Sequence, residues 1–186
     1  FMNVNGQHYR TIWLNKNNER VVEIIDQTKL PFEFRVEQLK SVDDVVRAIK
    51  EMHVRGAGLI GATAGYGMYL AALEAPKDNG FDQYIKKCGE CLKATRPTAV
   101  NLAAAVDEQL NWIIKPEHSI EEKIDAARYN AECIAFEDAT SCHAIGVNGF
   151  PIINKLSTRK RGGRVNILTH CNAGWLAFVD FGSALS

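Results

Sequence analysis

Two short runs rich in β-branched and aromatic residues open the chain, RTIWL at 10–14 and ERVVEIID at 19–26. The polar cluster Asn15, Lys16, Asn17 and Asn18 separates them, a pattern that predicts a β-hairpin. DQTKLPFEFRVEQL continues extended, with Pro31 excluding a helix there. From Ser41 the period changes. Val42, Val45, Val46, Ile49 and Met52 recur at helical spacing, and Ser41 with Asp44 three residues later forms a capping signature.

The next run, HVRGAGLIGATAGYGMYLAALEA, has almost no polar face, which predicts a buried helix. Each of its glycines weakens an isolated helix by up to about 1 kcal/mol. Gly61 and Gly65, four residues apart, share a face on which another backbone can approach closely. FDQYIKKCGECLKA and TAVNLAAAVDEQLNWI read as two further helices, Pro97 being suited to the first turn of the second. Ser119 and Glu122 have capping-box spacing and open a long helical stretch to about residue 144. Gly146, Gly149 and Pro151 are expected to break or kink it. Beyond the turn-like STRKRGGR, the run at 165–169 reads as a strand and AGWLAFVDFGSALS as a helix behind it.

The pattern therefore predicts an α/β chain overall. A β-hairpin and mainly helical domain covers 1–155, and residues 156–186 begin an α/β domain. One strand makes no sheet, so that second domain reads as barely begun, or as completed by another polypeptide.

The composition changes this picture little. The chain has 186 residues, 46% apolar and 24% charged, with a formal net charge of zero. That suits a globular protein and argues against a general nucleic-acid binder, which carries a basic excess. The short basic run at 159–161 reads as a solvated turn. No apolar run approaches the roughly 20 residues of a membrane span, and FMNVNGQHYR lacks the layout of a signal peptide. Five cysteines with no disulfide framework suit reduced thiols in a cytoplasm. Cys88 and Cys91 form C-x-x-C without a second ligand pair, and His8, His53, His118 and His143 show no metal-ligand spacing.

Three constellations carry candidate chemistry. The motif T-H-C-N-A-G at 169–174 lies where a strand is expected to end and a helix to open, which would aim helical N–H groups at the Cys171 thiol and favour thiolate. Its other reading is a buried structural cysteine. The V-R-G-A-G segment at 54–58 places Arg55 just before a helix start, where Gly56 and Ala57 leave backbone N–H groups open to an anion. Alternatively Arg55 pairs with a carboxylate and the glycines serve packing. The R-P-T-A-V-N segment at 96–101 repeats the arrangement with Arg96, as an anion site or as a structural cap. Sequence alone does not show whether the two arginines converge.

RTIWL, IIDQTKLP, VRGAGLIG, RPTAVNL and ILTHCNAG, in this order and spacing, resemble the methylthioribose-1-phosphate isomerase family. That family belongs to the superfamily holding the regulatory subunits of translation initiation factor two-B. The resemblance runs over residues 10–186 and implies a helical N-terminal domain, a Rossmann-like C-terminal domain and a homodimer. It implies a cytoplasmic aldose–ketose isomerase of methionine salvage, acting on a small phosphorylated sugar without metal or organic cofactor. Arg55, Gly56, Ala57 and Arg96 then bind substrate and Cys171 is catalytic. The family's aspartate partner to the cysteine lies further along than Ser186, so the chain reads as an N-terminal fragment, or as half of a cleaved protein with a complementary C-terminal chain. Such a fragment is expected to be inactive alone and to expose apolar surface around VNILTH.

Three departures bear on substrate. Gly58 and Leu59 stand where the family usually has Pro-Ala, Trp175 and Phe178 stand where small residues are common, and GSAL replaces GTAL. These keep 5-deoxyribose-1-phosphate and ribose-1,5-bisphosphate open as substrates. The non-enzyme alternative is an interaction module like the initiation-factor regulatory subunits.

Overall fold

In a computed structural model, which describes residues 3–186, the polar cluster after the first run turns the chain as expected. The Asn15 side-chain oxygen accepts the N–H groups of Asn17 and Asn18 at 2.9 Å each, an Asx-type turn. It joins β3 (Ile12–Leu14) to β4 (Val22–Ile25), and β5 (Val36–Leu39) pairs on the far side of β4. The sheet is antiparallel in the order β3-β4-β5, with Ile12 opposite Ile24 and Val22 opposite Leu39. A ribbon of β1 (Asn3–Val4) and β2 (Gln7–His8) precedes it.

Five α-helices follow, of which α1 (Val42–Lys50), α3 (Phe81–Thr95) and α4 (Val100–Ile113) each pack on α2 (Ala57–Glu74). The fifth, α5 (Ile120–Arg159), lies against both α2 and α4. Every residue of 58–72 in α2 is buried, because a helix apolar on all sides is stable only with neighbours all round. Ile12, Ile24 and Leu39 from the sheet join Val45 and Ile49 of α1 in the same core. Each fully buried side chain of this size stabilises the fold by about 1.5–3 kcal/mol. The caps are those expected: Ser41 accepts the Asp44 N–H at 3.0 Å, and Ser119 and Glu122 form a reciprocal capping box. No helix of the described residues is long and apolar enough to cross a membrane.

Three expectations fail. First, of the break or kink expected at Gly146, Gly149 and Pro151 the break is not found: α5 passes residue 144 and runs on to Arg159 with Pro151 inside it. Proline removes the bond to the carbonyl four residues back, here that of Val147, a residue 56% exposed in a stretch of α5 with few buried neighbours. Second, residues 165–169 form no strand, having no ladder partner among the described residues, and Leu168 is 99% exposed. That exposure is the apolar surface expected around VNILTH. Third, the helix expected over 173–186 reduces to a single 3-10 turn, Trp175–Ala177. The Rossmann-like part of the expected α/β fold is thus not formed within residues 3–186.

What residues 173–182 do instead is dock on the N-terminal elements. Thr11 N–H donates to the Val179 carbonyl at 3.0 Å, and Gln27 Nε2 donates to the Leu176 carbonyl at 2.6 Å. Val179 N–H donates to Asp138 Oδ2 at 2.7 Å, and Ala177 and Val179 are fully buried.

Candidate active site

The start of α2 carries a residue pattern that helix energetics alone does not favour. No side chain caps it and no acid stands in its first turn; the same holds for α4. The other α-helices all have one or both: Ser41, Asp43 and Asp44 in α1, Asp82 in α3, Ser119, Glu121 and Glu122 in α5. Neither α2 nor α4 carries in its own first turn the cap or acid that would offset the first N–H groups and the positive end of the dipole; at α2 the Asp138 carboxylate of α5 stands beside Gly58 instead. An arginine stands just before each, Arg55 before Gly56 and Arg96 before the Pro97–Ala99 turn. Among the described residues neither guanidinium is ion-paired with a carboxylate.

The two helix starts are neighbours. A Cβ on Gly61 would lie 3.2 Å from the Asn101 carbonyl oxygen, so the first turn of α4 sits against the second turn of α2. Gly61 is only ~6 Å along the axis from Ala57. Gly56 is required twice over. Its φ is +103°, and a Cβ there would meet the Ala177 backbone at 2.3 Å. The docked 173–182 segment thus lies directly on the residue after Arg55.

Between that segment and the amino-terminal sheet is a cavity of ≈ 660 Å³. Ile25, Leu30, Phe34, Trp175 and Leu176 give it an apolar wall, with Gln27, Asn172 and Arg55, the one cation among the described lining residues, as its polar points. Of the residues singled out by sequence, Arg55 lines this cavity, Gly56 touches its rim segment and Ala57 is the exposed first residue of α2. Half-buried Arg96 and exposed Cys171 do not line it, although Asn172, next to the cysteine, does. The helix expected to activate Cys171 is not there. The thiol sits at a left-handed backbone position, φ +65°, followed by non-helical chain.

Two of the departures touch each other. A Cβ on Gly58 would lie 2.6 Å from the Phe178 ring and 2.0 Å from Asp138 Oδ1. The absence of a side chain at Gly58 therefore makes room for both the Phe178 ring and the Asp138 carboxylate. Asp138, on α5, escaped notice in the sequence because it flanks the buried stripe of Ala127, Ala131, Ala135 and Ala139 without breaking its period. Burial raises its carboxyl above the ordinary value, against the bond from Val179 N–H. Burial, with Asp138 and Asp180 nearby, pushes the Cys142 thiol up to about 12. Asp180 itself is engaged, with His8 Nε2 at 2.7 Å from Oδ2 and the Phe181 N–H on Oδ1.

Behind Arg55, His53 bridges two carboxylates, with Nδ1 2.6 Å from Glu37 and Nε2 3.3 Å from Glu51. Asp26, Glu37 and His53 offer ligand atoms all within 4.8 Å of one another, a set with the chemistry to hold a cation. Those groups are already spent: Glu37 on His53 and Arg47, Asp26 on the Thr28 hydroxyl and N–H. Burial works to raise the Asp26 carboxyl, but the Thr28 bonds, His53 and Lys29 hold it below the ordinary value. The network anchors the chain two residues before Arg55, where the His53 carbonyl also accepts the Gln27 N–H at 2.9 Å.

Comparison with known proteins places this geometry. The Initiation factor 2 subunit family matches residues 53–181. A methylthioribose-1-phosphate isomerase of Desulfatibacillum aliphaticivorans is 47% identical over 185 residues, 98% of this chain and 49% of that protein. The isomerase of Escherichia coli O45:K1 is 45% identical over 186 residues, 100% of this chain and 48% of its own length. The crystal structure of 5-methylthioribose 1-phosphate isomerase from Pyrococcus horikoshii superposes with TM-score 0.81 at 36% identity, over 95% of this chain and 47% of that one. That of translation initiation factor eIF-2B, subunit delta, from A. fulgidus gives 0.79 at 35%, over 96% and 49%. The chain thus spans about half the length of the curated relatives it matches. It belongs to the initiation factor 2 subunit family, and the two curated relatives described above are methylthioribose-1-phosphate isomerases.

Proposed function

We propose that this chain forms the substrate-binding half of an aldose–ketose isomerase that converts 5-methylthioribose-1-phosphate to 5-methylthioribulose-1-phosphate in methionine salvage. The observation that carries the reading is Arg55, a guanidinium without a carboxylate partner, set between an apolar cavity and the uncapped start of α2. Arg55, the N–H groups of Gly56 and Ala57, and Arg96 at the adjoining start of α4 hold the phosphate, which suits both a forked donor and a helix N-terminus. In the reaction the ring oxygen takes a proton as the ring opens, a hydrogen passes from C2 to C1, and the 2-hydroxyl gives up its proton to a base as the C2 carbonyl forms, while the phosphate stays on O1. That requires a paired acid and base in a water-poor pocket. Cys171 is one member of the pair. Asp180, buried and bonded to His8, is committed elsewhere. The partner acid belongs to the part of the relatives' length that this chain does not match, supplied as a complementary chain or a continuous one, in a homodimer.

The cavity also weighs on the sugar. A second phosphate at C5 would need a second cation, and the described lining residues supply only Arg55 among largely apolar side chains. A methylthio group, or the bare methyl of 5-deoxyribose-1-phosphate, fits that wall better than a bisphosphate. The regulatory-module reading is favoured by the likeness to the A. fulgidus subunit, which the fold alone does not separate from the isomerases. Turnover of methylthioribose-1-phosphate by the assembled protein, lost in Cys171→Ser, is the expected result, with the 186-residue chain inactive by itself. An assembled protein that turns over none of the three sugars, and binds none, refutes the enzyme.

A further inference from the structure

The apolar face of α5 does not end where its cover ends. Cys142, Ile145, Gly149, Ile152 and Leu156 follow one another at alternating steps of three and four residues, one continuous seam down the helix. The docked segment lies over the beginning of it. Val179 N–H bonds Asp138, the Phe181 and His143 rings lie 4.9 Å apart, and a Cβ on Gly146 would meet Ser186 Oγ at 2.6 Å. Cys142 is accordingly buried. Further along, the cover is gone. Ile145, Ile152 and Leu156 are exposed, Ile152 to 65%, and a Cβ on Gly149 would meet nothing within 4 Å. Leu185, beside the Ser186 contact, is exposed as well. The uncovered seam runs roughly 16 Å along the helix. A helix draws most of its stability from packing its apolar face, and this one keeps its form and its period to Arg159 with that face bare.

Charge narrows what can cover it. Between Ala139 and Val179 the chain carries five Lys or Arg and no Asp or Glu. A second copy laid on this seam would bring as many cations again and no acid, so like charges oppose that pairing. About half of each isomerase, from Desulfatibacillum aliphaticivorans and from Escherichia coli, lies outside the match with this chain. We propose that the polypeptide equivalent to that unmatched half packs on the α5 seam from Ile145 to Leu156, with its closest approach at Gly149. Its rim carries acidic groups facing Lys155 and Arg159, around an apolar centre. The inference rests on the reading of this chain as half of a larger assembly, and not on the reaction that the assembly performs.

The test places one cysteine on the seam, Ile152→Cys, and one on the far side of the helix, Val147→Cys, and follows thiol labelling of each peptide by mass spectrometry. Each variant is made in the 186-residue chain and in that chain continued after Ser186 by the unmatched part of the Desulfatibacillum aliphaticivorans isomerase. Both cysteines should label quickly in the 186-residue chain. In the longer protein Ile152→Cys should label at least about 10-fold more slowly, and Val147→Cys should not change. As a second measurement, Ile152→Glu with Leu156→Glu should leave the urea midpoint of the 186-residue chain in place and lower that of the longer protein. Protection of neither cysteine, or of both alike, overturns the proposal. So does protection in the shorter chain that rises with its concentration, which makes a second copy the occupant. A protected Ile152→Cys in a longer protein without isomerase activity refutes the isomerase reading and keeps the interface. Turnover with Ile152→Cys freely labelled does the reverse.

Discussion

Replacing Gly58 by alanine tests how the docked segment is held over the start of α2. On propensity alone, Gly58→Ala should stabilise a helix by up to about 1 kcal/mol. Here the new Cβ would lie 2.0 Å from Asp138 Oδ1 and 2.6 Å from the Phe178 ring. Overpacking of this kind costs about 1–3 kcal/mol. If the carboxylate swings away, the 2.7 Å bond from Val179 N–H is lost as well, about 1.5–3 kcal/mol for a charged acceptor. These effects overlap, and the net should be a destabilisation of about 2–4 kcal/mol, read as a lowered urea midpoint with an unchanged slope. The control is Gly149→Ala on α5, where a Cβ meets nothing within 4 Å and the propensity gain should appear unopposed. Phe178→Ala in the Gly58→Ala background should recover about 1 kcal/mol relative to additivity, since the two side chains then no longer compete. Equal effects of Gly58→Ala and Gly149→Ala would refute the argument.

Other expectations concern charge, thiols and caps. The Asp138 carboxyl is raised by burial, so its contribution to stability is full below the ordinary aspartate value of 3.8 and falls as pH rises through its higher folded value. Asp138→Asn keeps an acceptor for Val179 N–H and should lose that decline, measured as the wild-type-minus-variant difference in urea midpoint across acidic to neutral pH. With a thiol-labelling reagent, exposed Cys91 and Cys171 should react quickly, and buried Cys88 and Cys142 slowly. A sugar phosphate should protect Cys171 and leave Cys91 unchanged. Ser119→Ala removes half of the capping box of α5 and should cost about 1 kcal/mol by urea unfolding, with the loss concentrated in amide protection at 120–123.

Local signals in the chain were legible where local chemistry decides them. Asn15 makes the hairpin turn with its own side chain, and Ser41 and Ser119 cap the helices that their spacing announces. The apolar run of α2 could be nothing but a central helix. Residues 165–169 show the limit, since β-branched side chains favour a strand but a ladder needs a second backbone. Pro151 shows another: a proline in an exposed stretch of helix removes one bond, and the helix continues. In the candidate site, Arg55 and Gly56 stood out because an arginine before small residues at a helix start is a local pattern. Gln27 and Asp138 did not, because what defines them is contact with Leu176 and Val179, far along the chain. The contact between Gly58 and Phe178 turns two separate oddities of sequence into one packing solution.

The most direct test of the account is calorimetric binding of methylthioribose-1-phosphate to the protein and to its Arg55→Ala variant, with phosphate-free methylthioribose alongside. The account predicts that the phosphorylated sugar binds the wild-type protein more tightly, that added salt weakens this preference, and that Arg55→Ala sharply reduces it while methylthioribose binds both alike. Phosphorylated sugar binding with equal affinity in the presence and absence of the Arg55 guanidinium would contradict it.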